Sequence, residues 1–194
     1  MNAVFLQTGY VLKRQGLSIS GKYRLVAPQS DQPLLFIEEK IKWIPPSKTV
    51  HVYADEKKKQ EILTIKDRPD DTDMDVFDAE SGQKIGGIGL SADDLSEFIK
   101  DAWTITNADG KPIAKVFEKS TGRAVLRGML ANGLPQQLDI MAGETLVGEL
   151  RQKLKMAAYE LTIDFSMDVA HILDRRLGIA AAIHAALHQG SEEE

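Results

Sequence analysis

The chain contains no cysteine, which excludes disulfide staples, thiolate metal sites and thiol nucleophiles together. It also lacks any apolar run near the ~20 residues that a helix needs to span a bilayer. The longest apolar-rich window, Leu177 to Leu187, is preceded by Asp174, Arg175 and Arg176 and followed by His188, so a buried helix is predicted there and no transmembrane span. Basic charge is in deficit: 24 Lys and Arg stand against 29 Asp and Glu, for a net charge of -5. That balance argues against a nucleic-acid binder, which must present a basic face to phosphates. Ala3 to Leu6 is apolar but has no basic region before it, so no signal peptide is predicted and a cytoplasmic chain is expected. Enzyme signatures are missing too. There is no G-x-S-x-G elbow and no phosphate-binding G-x-x-x-x-G-K-[ST] loop, and Gly86-Gly87-Ile88-Gly89 lacks the rest of a dinucleotide fingerprint. A non-enzymatic chain without a cofactor is expected, with an unmarked constellation of carboxylates as the remaining route to catalysis.

What is present reads as one folded domain. Of 194 residues, 43% are hydrophobic and 27% charged, and 15 glycines and 7 prolines are too few for a disordered or fibrous chain. Residues 1–190 are assigned to the domain and 191–194 to a short acidic, disordered tail. From Gly21 to Phe165, short β-rich runs alternate with turn residues, the spacing of an all-β sandwich or barrel. Met74 to Asp78 and Gln83 to Ile88 flank the turn Ala79-Glu80-Ser81-Gly82. Trp103 to Thr106 and Pro112 to Glu118 flank Asn107-Ala108-Asp109-Gly110, and Gln137 to Met141 and Thr145 to Leu150 flank Ala142-Gly143-Glu144. Upstream, Tyr23 to Val26 with Pro33 to Lys40, and Thr49 to Tyr53 with Glu61 to Lys66, repeat the scheme. About five related hairpins with a drifting period fit a meandering barrel better than a propeller or solenoid. Partial alternation in Ile62 to Lys66 and Ala124 to Arg127 agrees with strands buried on one face. One helix, Ala92 to Lys100, is predicted inside the β pattern, capped by Ser91 and favoured by Asp93 and Asp94 at its positive end. Gly86, Gly87 and Gly89 are read as permitting a bulge or bend just before it.

The last segment, Asp168 to Gln189, carries the most information. Asp168 is placed to cap a helix whose apolar residues begin at Val169, Ala170 and Ile172. Leu177 to Ile183 shows no polar side chain at any angle, and a helix apolar all round must be enclosed. Its side chains are small, with Gly178 and Ala180, Ala181, Ala182, Ala185 and Ala186 together. A thin helix of this kind fits the lumen of a closed barrel, where inward strand residues already occupy much of the space. The alternative is an Ala-rich surface helix that pairs with a partner. The predicted class is mainly β (α+β): a closed antiparallel barrel around its own C-terminal helix.

Several constellations are candidates for chemistry. Asp71, Asp73 and Asp75 begin like a calcium loop, but Val76 stands where the turn needs Gly and Gly82 where the bidentate Glu belongs. This stretch, with Asp70 and Asp78, reads as a solvated loop leading into a strand. His184 and His188 lie one helical turn apart, yet Ala185 replaces the Glu of an H-E-x-x-H site and His171 is too distant, so no metal site is assigned. Basic residues gather at Lys57, Lys58 and Lys59 in a predicted turn, at Lys66 and Arg68, and at Arg151, Lys153 and Lys155, which share a face if they lie on one strand. These eight are the candidate ligand-binding residues. The stripe suits anionic headgroups or, alternatively, a solvated outer face or edge that blocks aggregation.

The chain resembles the tubby C-terminal-like superfamily, in particular the phospholipid scramblases and the plant LURP-one-related proteins. The residues that carry the likeness are Val76-Phe77-Asp78 with Gly82 and Ile85-Gly86, Trp103-Thr104-Ile105 with Asp109-Gly110, and Asp168 to Leu187. It spans about Val11 to His188. The resemblance implies a barrel of about twelve strands around the terminal helix. It also places the chain among proteins that bind phosphoinositides or are linked to lipid movement. The scramblases' acidic, calcium-linked segment is represented here by Asp164 and Asp168 alone, and calcium binding is not carried over. The expectation is a cytoplasmic domain, peripheral to the membrane, that binds an anionic ligand or phospholipid headgroups through basic exterior residues. The alternative is a protein-interaction or scaffold module with no lipid dependence.

Overall fold

The strand-turn-strand units pair edge to edge until the last strand meets the first. A computed structural model describes residues 2–16, 21–43, 46–68, 73–90, 103–118, 136–153 and 159–190. Its described strands are β1 (Gly9–Arg14), β2 (Lys22–Val26), β3 (Pro33–Trp43), β4 (Pro46–Tyr53), β5 (Glu61–Asp67) and β6 (Met74–Asp78), then β7 (Lys84–Leu90), β8 (Trp103–Asn107), β9 (Pro112–Glu118), β10 (Gln137–Ala142), β11 (Thr145–Lys153) and β12 (Glu160–Asp164). All twelve form one closed antiparallel barrel wound in sequence order. Closure comes from β1 against β12, with Gly9 opposite Asp164 and Leu12 opposite Leu161. The two-residue period divides each strand between interior and exterior. On β5, Leu63 and Ile65 are buried while Thr64 is half-buried and Lys66 exposed.

All five predicted hairpins are present, with strands that run longer at several ends. Tight turns close them: Gly82 and Gly110 take positive φ of 69° and 79°, a conformation that suits glycine. The Asn107 side chain accepts from the N–H groups of Asp109 and Lys111 at 3.1 and 2.9 Å. The helix predicted at Ala92 to Lys100, the strand at Ala124 to Arg127 and the tail at 191–194 lie outside the described residues. A 3-10 turn at Ala3–Leu6 accounts for the apolar N-terminal patch. The Tyr10 hydroxyl donates to Val4 O at 2.7 Å and Gln7 O at 2.9 Å, tying that turn to the barrel.

Inside lies the single described α-helix, α1 (Arg175–Gly190). Ten consecutive residues, Leu177 to Ala186, are buried, so the helix is enclosed around its circumference and the partner-facing alternative is overturned. It enters at the pole that carries the tight turns and runs to the opposite, far pole. There Leu187 lies against Gly21, and the Tyr23 hydroxyl donates to Ala186 O at 3.3 Å. His184, buried inside, meets Trp103 edge to face at 5.1 Å. Small residues set how close the helix comes. A methyl at Gly178 would stand 2.5 Å from Phe165 Cζ, and one at Gly148 would stand 2.9 Å from Cδ1 of the same ring. Gly86 gives similar room to Leu177, and a bulge in the β6–β7 register between Val76 and Phe77 falls beside it. Among the described residues no helix is long and apolar enough to cross a membrane.

The start of the helix corrects the sequence-based expectation. Asp168 does not cap it. Its carboxylate accepts from Ile172 N at 2.8 Å and Leu173 N at 3.1 Å, and pairs with the Arg175 guanidinium at 2.6 Å. These bonds close a non-helical turn in which His171 sits at φ 52°, and a helix cannot propagate through that conformation. α1 begins seven residues later, where Asp174 accepts from Arg176 N at 2.9 Å. Val169 and Ile172, expected on the buried helix, are 83% and 53% exposed at this pole. Arg175 is itself buried and lies over the Phe165 ring at 4.8 Å.

Gly178→Ala is expected to lower stability by about 1–3 kcal/mol through overpacking against Phe165, read as a lower urea midpoint at unchanged m-value. A second expectation concerns acid. Burial by itself would raise the Asp168 carboxyl, but bonds from Ile172, Arg175 and Leu173 outweigh it and hold the group below its usual range. The stabilisation is complete above the unfolded-state value of about 4 and is lost as pH falls through the depressed folded value. Asp168→Asn should cost about 3–5 kcal/mol at neutral pH by stranding Arg175, and its urea midpoint should fall less steeply between neutral and acidic pH than that of the parent.

Candidate functional site

The β4–β5 turn is closed by Ala54 N donating to Gln60 O at 2.9 Å and Lys58 N donating to Asp55 O at 3.0 Å. It presents Lys57, Lys58 and Lys59 to solvent at the turn pole. Lys58 bends back to place Nζ 2.7 Å from both oxygens of Glu38. That bond is the main reason the Glu38 carboxyl is held below its usual range. Arg24, two strands away, pairs with Glu56 at 2.8 Å and lies over the Phe36 ring at 5.4 Å.

At the other end of β5, Lys66 and Arg68 have different surroundings. Arg68 joins Asp73 at 2.7 Å and Asp75 at 2.8 Å, and Lys84 adds a bond to Asp75 at 2.9 Å. Desolvation would raise Asp75, but the bonds from Lys84 and Arg68 prevail and lower it. Asp73 also accepts from Leu90 N at 3.0 Å, and Asp78 is bonded by Ser81 and Arg176. The described part of the acidic stretch is thus tied into ion pairs and turn hydrogen bonds, where a solvated loop was expected; Asp70 and Asp71 lie outside the described residues. Lys66 is exposed, its Nζ 5.3 Å from the centre of the Phe77 ring.

Arg151 and Lys153 do share the outer face of β11, as the two-residue period requires, and both are exposed. Arg151 is hydrogen-bonded to Glu149. Lys155 lies outside the described residues. β11 stands six positions from β5 around the twelve-strand ring, so the two groups occupy opposite walls. The predicted basic residues therefore form three separate groups: one at the turn pole and two across the barrel from each other.

A fourth feature gathers cations more tightly. β3 continues through Lys40-Ile41-Lys42-Trp43, all exposed, in register with β4: Lys40 faces Thr49, Ile41 faces Lys48, Lys42 faces Ser47 and Trp43 faces Pro46. Among the described residues, β2 pairs with β3 no further than Glu38, apart from Glu39 N donating to Gly21 O. β5 reaches β4 at Thr49 opposite Lys66, and Asp67 accepts from Lys48 N at 2.8 Å. Beyond these points β3 and β4 pair only with each other among the described residues. Lys40 and Lys42 share one face with Ser47, Thr49 and Lys66, while Ile41 and Trp43 occupy the other with Lys48. Trp43 is 79% exposed. Lys40, Lys42, Lys48 and Lys66 form no ion pair among the described residues, nor do Lys57, Lys59, Lys111 and Lys153 elsewhere, whereas Lys13, Lys22, Arg24, Lys58, Arg68, Lys84 and Arg151 each have an acidic partner; the corner is set apart by four such lysines on three adjacent strands. The missed signal is the alternation Lys-Ile-Lys-Trp, which continues the strand pattern past Lys40 where the sequence reading ended it.

A recess of about 280 Å³ lies between β1, β2 and the turn at Ala27 to Asp31. Its one cation, Lys13, is bonded to Asp31 at 2.7 Å, which leaves little for an incoming anion. The sequence matches no protein-family model and no curated protein. Its class therefore rests on the fold, a closed twelve-strand antiparallel barrel enclosing its C-terminal helix.

Arg68→Gln separates cations held in ion pairs from those that are not. Loss of its two carboxylate bonds is expected to lower stability by about 1–3 kcal/mol, measured as a drop in the thermal midpoint. Lys66→Gln should leave that midpoint nearly unchanged.

Proposed function

We propose that this domain is a non-enzymatic, cytoplasmic, membrane-peripheral module that binds anionic phospholipid headgroups through exterior lysines of the β3–β4–β5 corner. The supporting observation is the concentration of Lys40, Lys42, Lys48 and Lys66 at one corner with no ion pair among the described residues, on a chain whose net charge is -5. Near an anionic membrane surface each lysine contributes about 1 kcal/mol. The flanking Ser47 and Thr49 hydroxyls supply hydrogen-bonding groups suited to phosphate oxygens. A closed barrel around a C-terminal helix also agrees with the resemblance to the tubby C-terminal-like superfamily, whose members include phosphoinositide-binding proteins, proteins linked to lipid movement and many of unknown role. Fold by itself does not carry function, so the reading rests on the lysines.

A protein-interaction module is the second reading, and a different pole favours it. Leu6, Val169 and Ile172, 68%, 83% and 53% exposed, all project at the turn pole. That reading predicts partner capture without lipid dependence.

Co-sedimentation with phosphatidylcholine vesicles carrying phosphatidylserine tests the proposal. Binding should weaken as salt rises, and Lys40→Gln/Lys42→Gln/Lys66→Gln should weaken it roughly 100-fold. Lys57→Gln/Lys59→Gln, at the opposite pole, should leave affinity within about twofold. Absent binding, or equal loss from both variants, would defeat the lipid reading.

A further inference from the structure

We infer that the β3–β4 hairpin is a membrane-interface anchor: Trp43 and Ile41 enter the headgroup boundary of an anionic bilayer while the surrounding lysines hold its headgroups. This deepens the proposed function and rests on it. Trp43 is the last paired residue of β3 and is 79% exposed, and Ile41, two residues before it on the same face, is 37% exposed. Indole is a costly group to leave in water at the end of a strand, and it favours the bilayer interface, where its apolar body and its N–H both find suitable surroundings. The charge around it identifies the occupant. Lys40 and Lys42 alternate with Ile41 and Trp43 along one strand, Lys48 faces Ile41, and Lys66 stands beside Thr49. An apolar pair flanked by lysines that form no ion pair among the described residues is complementary to a surface that is anionic outside and apolar just beneath.

The backbone limits the depth. Beyond Glu39 on β3 and before Lys48 on β4, the ribbon's outer edges have no strand partner among the described residues. Unpaired N–H and C=O groups are satisfied at headgroup level by water and phosphate but not in hydrocarbon. The anchor therefore reaches the interface and goes no deeper.

The chain supplies its own reporter, because it has two tryptophans and Trp103 is buried inside the barrel against His184. Adding phosphatidylserine-containing vesicles should shift Trp43 emission to the blue, and lipids brominated high on their acyl chains should quench it more than lipids brominated near the bilayer centre. Trp43→Ala should abolish both signals and weaken sedimentation about tenfold, with the salt dependence and unfolding midpoint retained. The lysine-to-glutamine triple variant should reduce sedimentation and quenching together. Vesicle binding with Trp43 emission unshifted and unquenched, or full affinity in Trp43→Ala, would overturn the anchor and leave the lysine reading standing. Absence of vesicle binding would remove both. A spectral shift with soluble polyglutamate or RNA, and none with vesicles, would assign the hairpin to a polyanion and overturn the anchor.

Discussion

A closed ring of twelve strands leaves a lumen of set width, and close packing requires that it be filled without voids or overlap. Inward strand residues such as Leu25, Leu63 and Ile140 fill its periphery. The axis is left to a helix whose girth must match what remains. Ala180, Ala181, Ala182, Ala185 and Ala186 keep that helix thin, and Gly148 and Gly178 leave room on both sides of Phe165 for its ring. Burial of Leu177, Ile179 and Ile183 contributes apolar stabilisation of about 1.5–3 kcal/mol for each such side chain. Helix and barrel are thus mutually dependent, since neither apolar surface has another place to go.

The same enclosure explains how the turn pole is sealed. A helix entering a barrel brings unsatisfied N–H groups into a confined space. The Asp168 carboxylate takes the N–H groups of Ile172 and Leu173, Asp174 takes that of Arg176, and Arg175 is held between Asp168 and the Phe165 ring. Charge here closes a lid on the core. Trp43 and the lysines Lys40, Lys42, Lys48 and Lys66, which form no ion pair among the described residues, lie away from this seal, on the outer wall and at the far pole.

Legibility in the sequence followed periodicity. Five hairpins could be read because alternation and turn residues are local signals, and the enclosure of α1 because a stretch with no polar face has one physical solution. The start of α1 was misplaced because an aspartate before an apolar run looks like a cap, although Asp168 is recruited by Arg175 into a different turn. The end of β3 was missed because Lys40 read as the end of a strand that continues to Trp43, with Lys40 and Lys42 on one face. Arg68 looked as available as Lys66, and only the fold brings Asp73 and Asp75 onto its guanidinium.

Local pattern in the sequence was sufficient for five antiparallel hairpins and a buried terminal helix, because each follows from side-chain period, turn chemistry and the cost of exposing apolar surface to water, whereas the β1 and β12 pair that closes the ring was not read from it. Which cations lack an ion pair among the described residues was decided by tertiary structure. An ion pair depends on distances across strands that sequence spacing does not encode, and the β3–β4–β5 pairing places Lys66 on the same face as Lys40 and Lys42 with Thr49 between, while the ring carries Arg151 and Lys153 to the opposite wall.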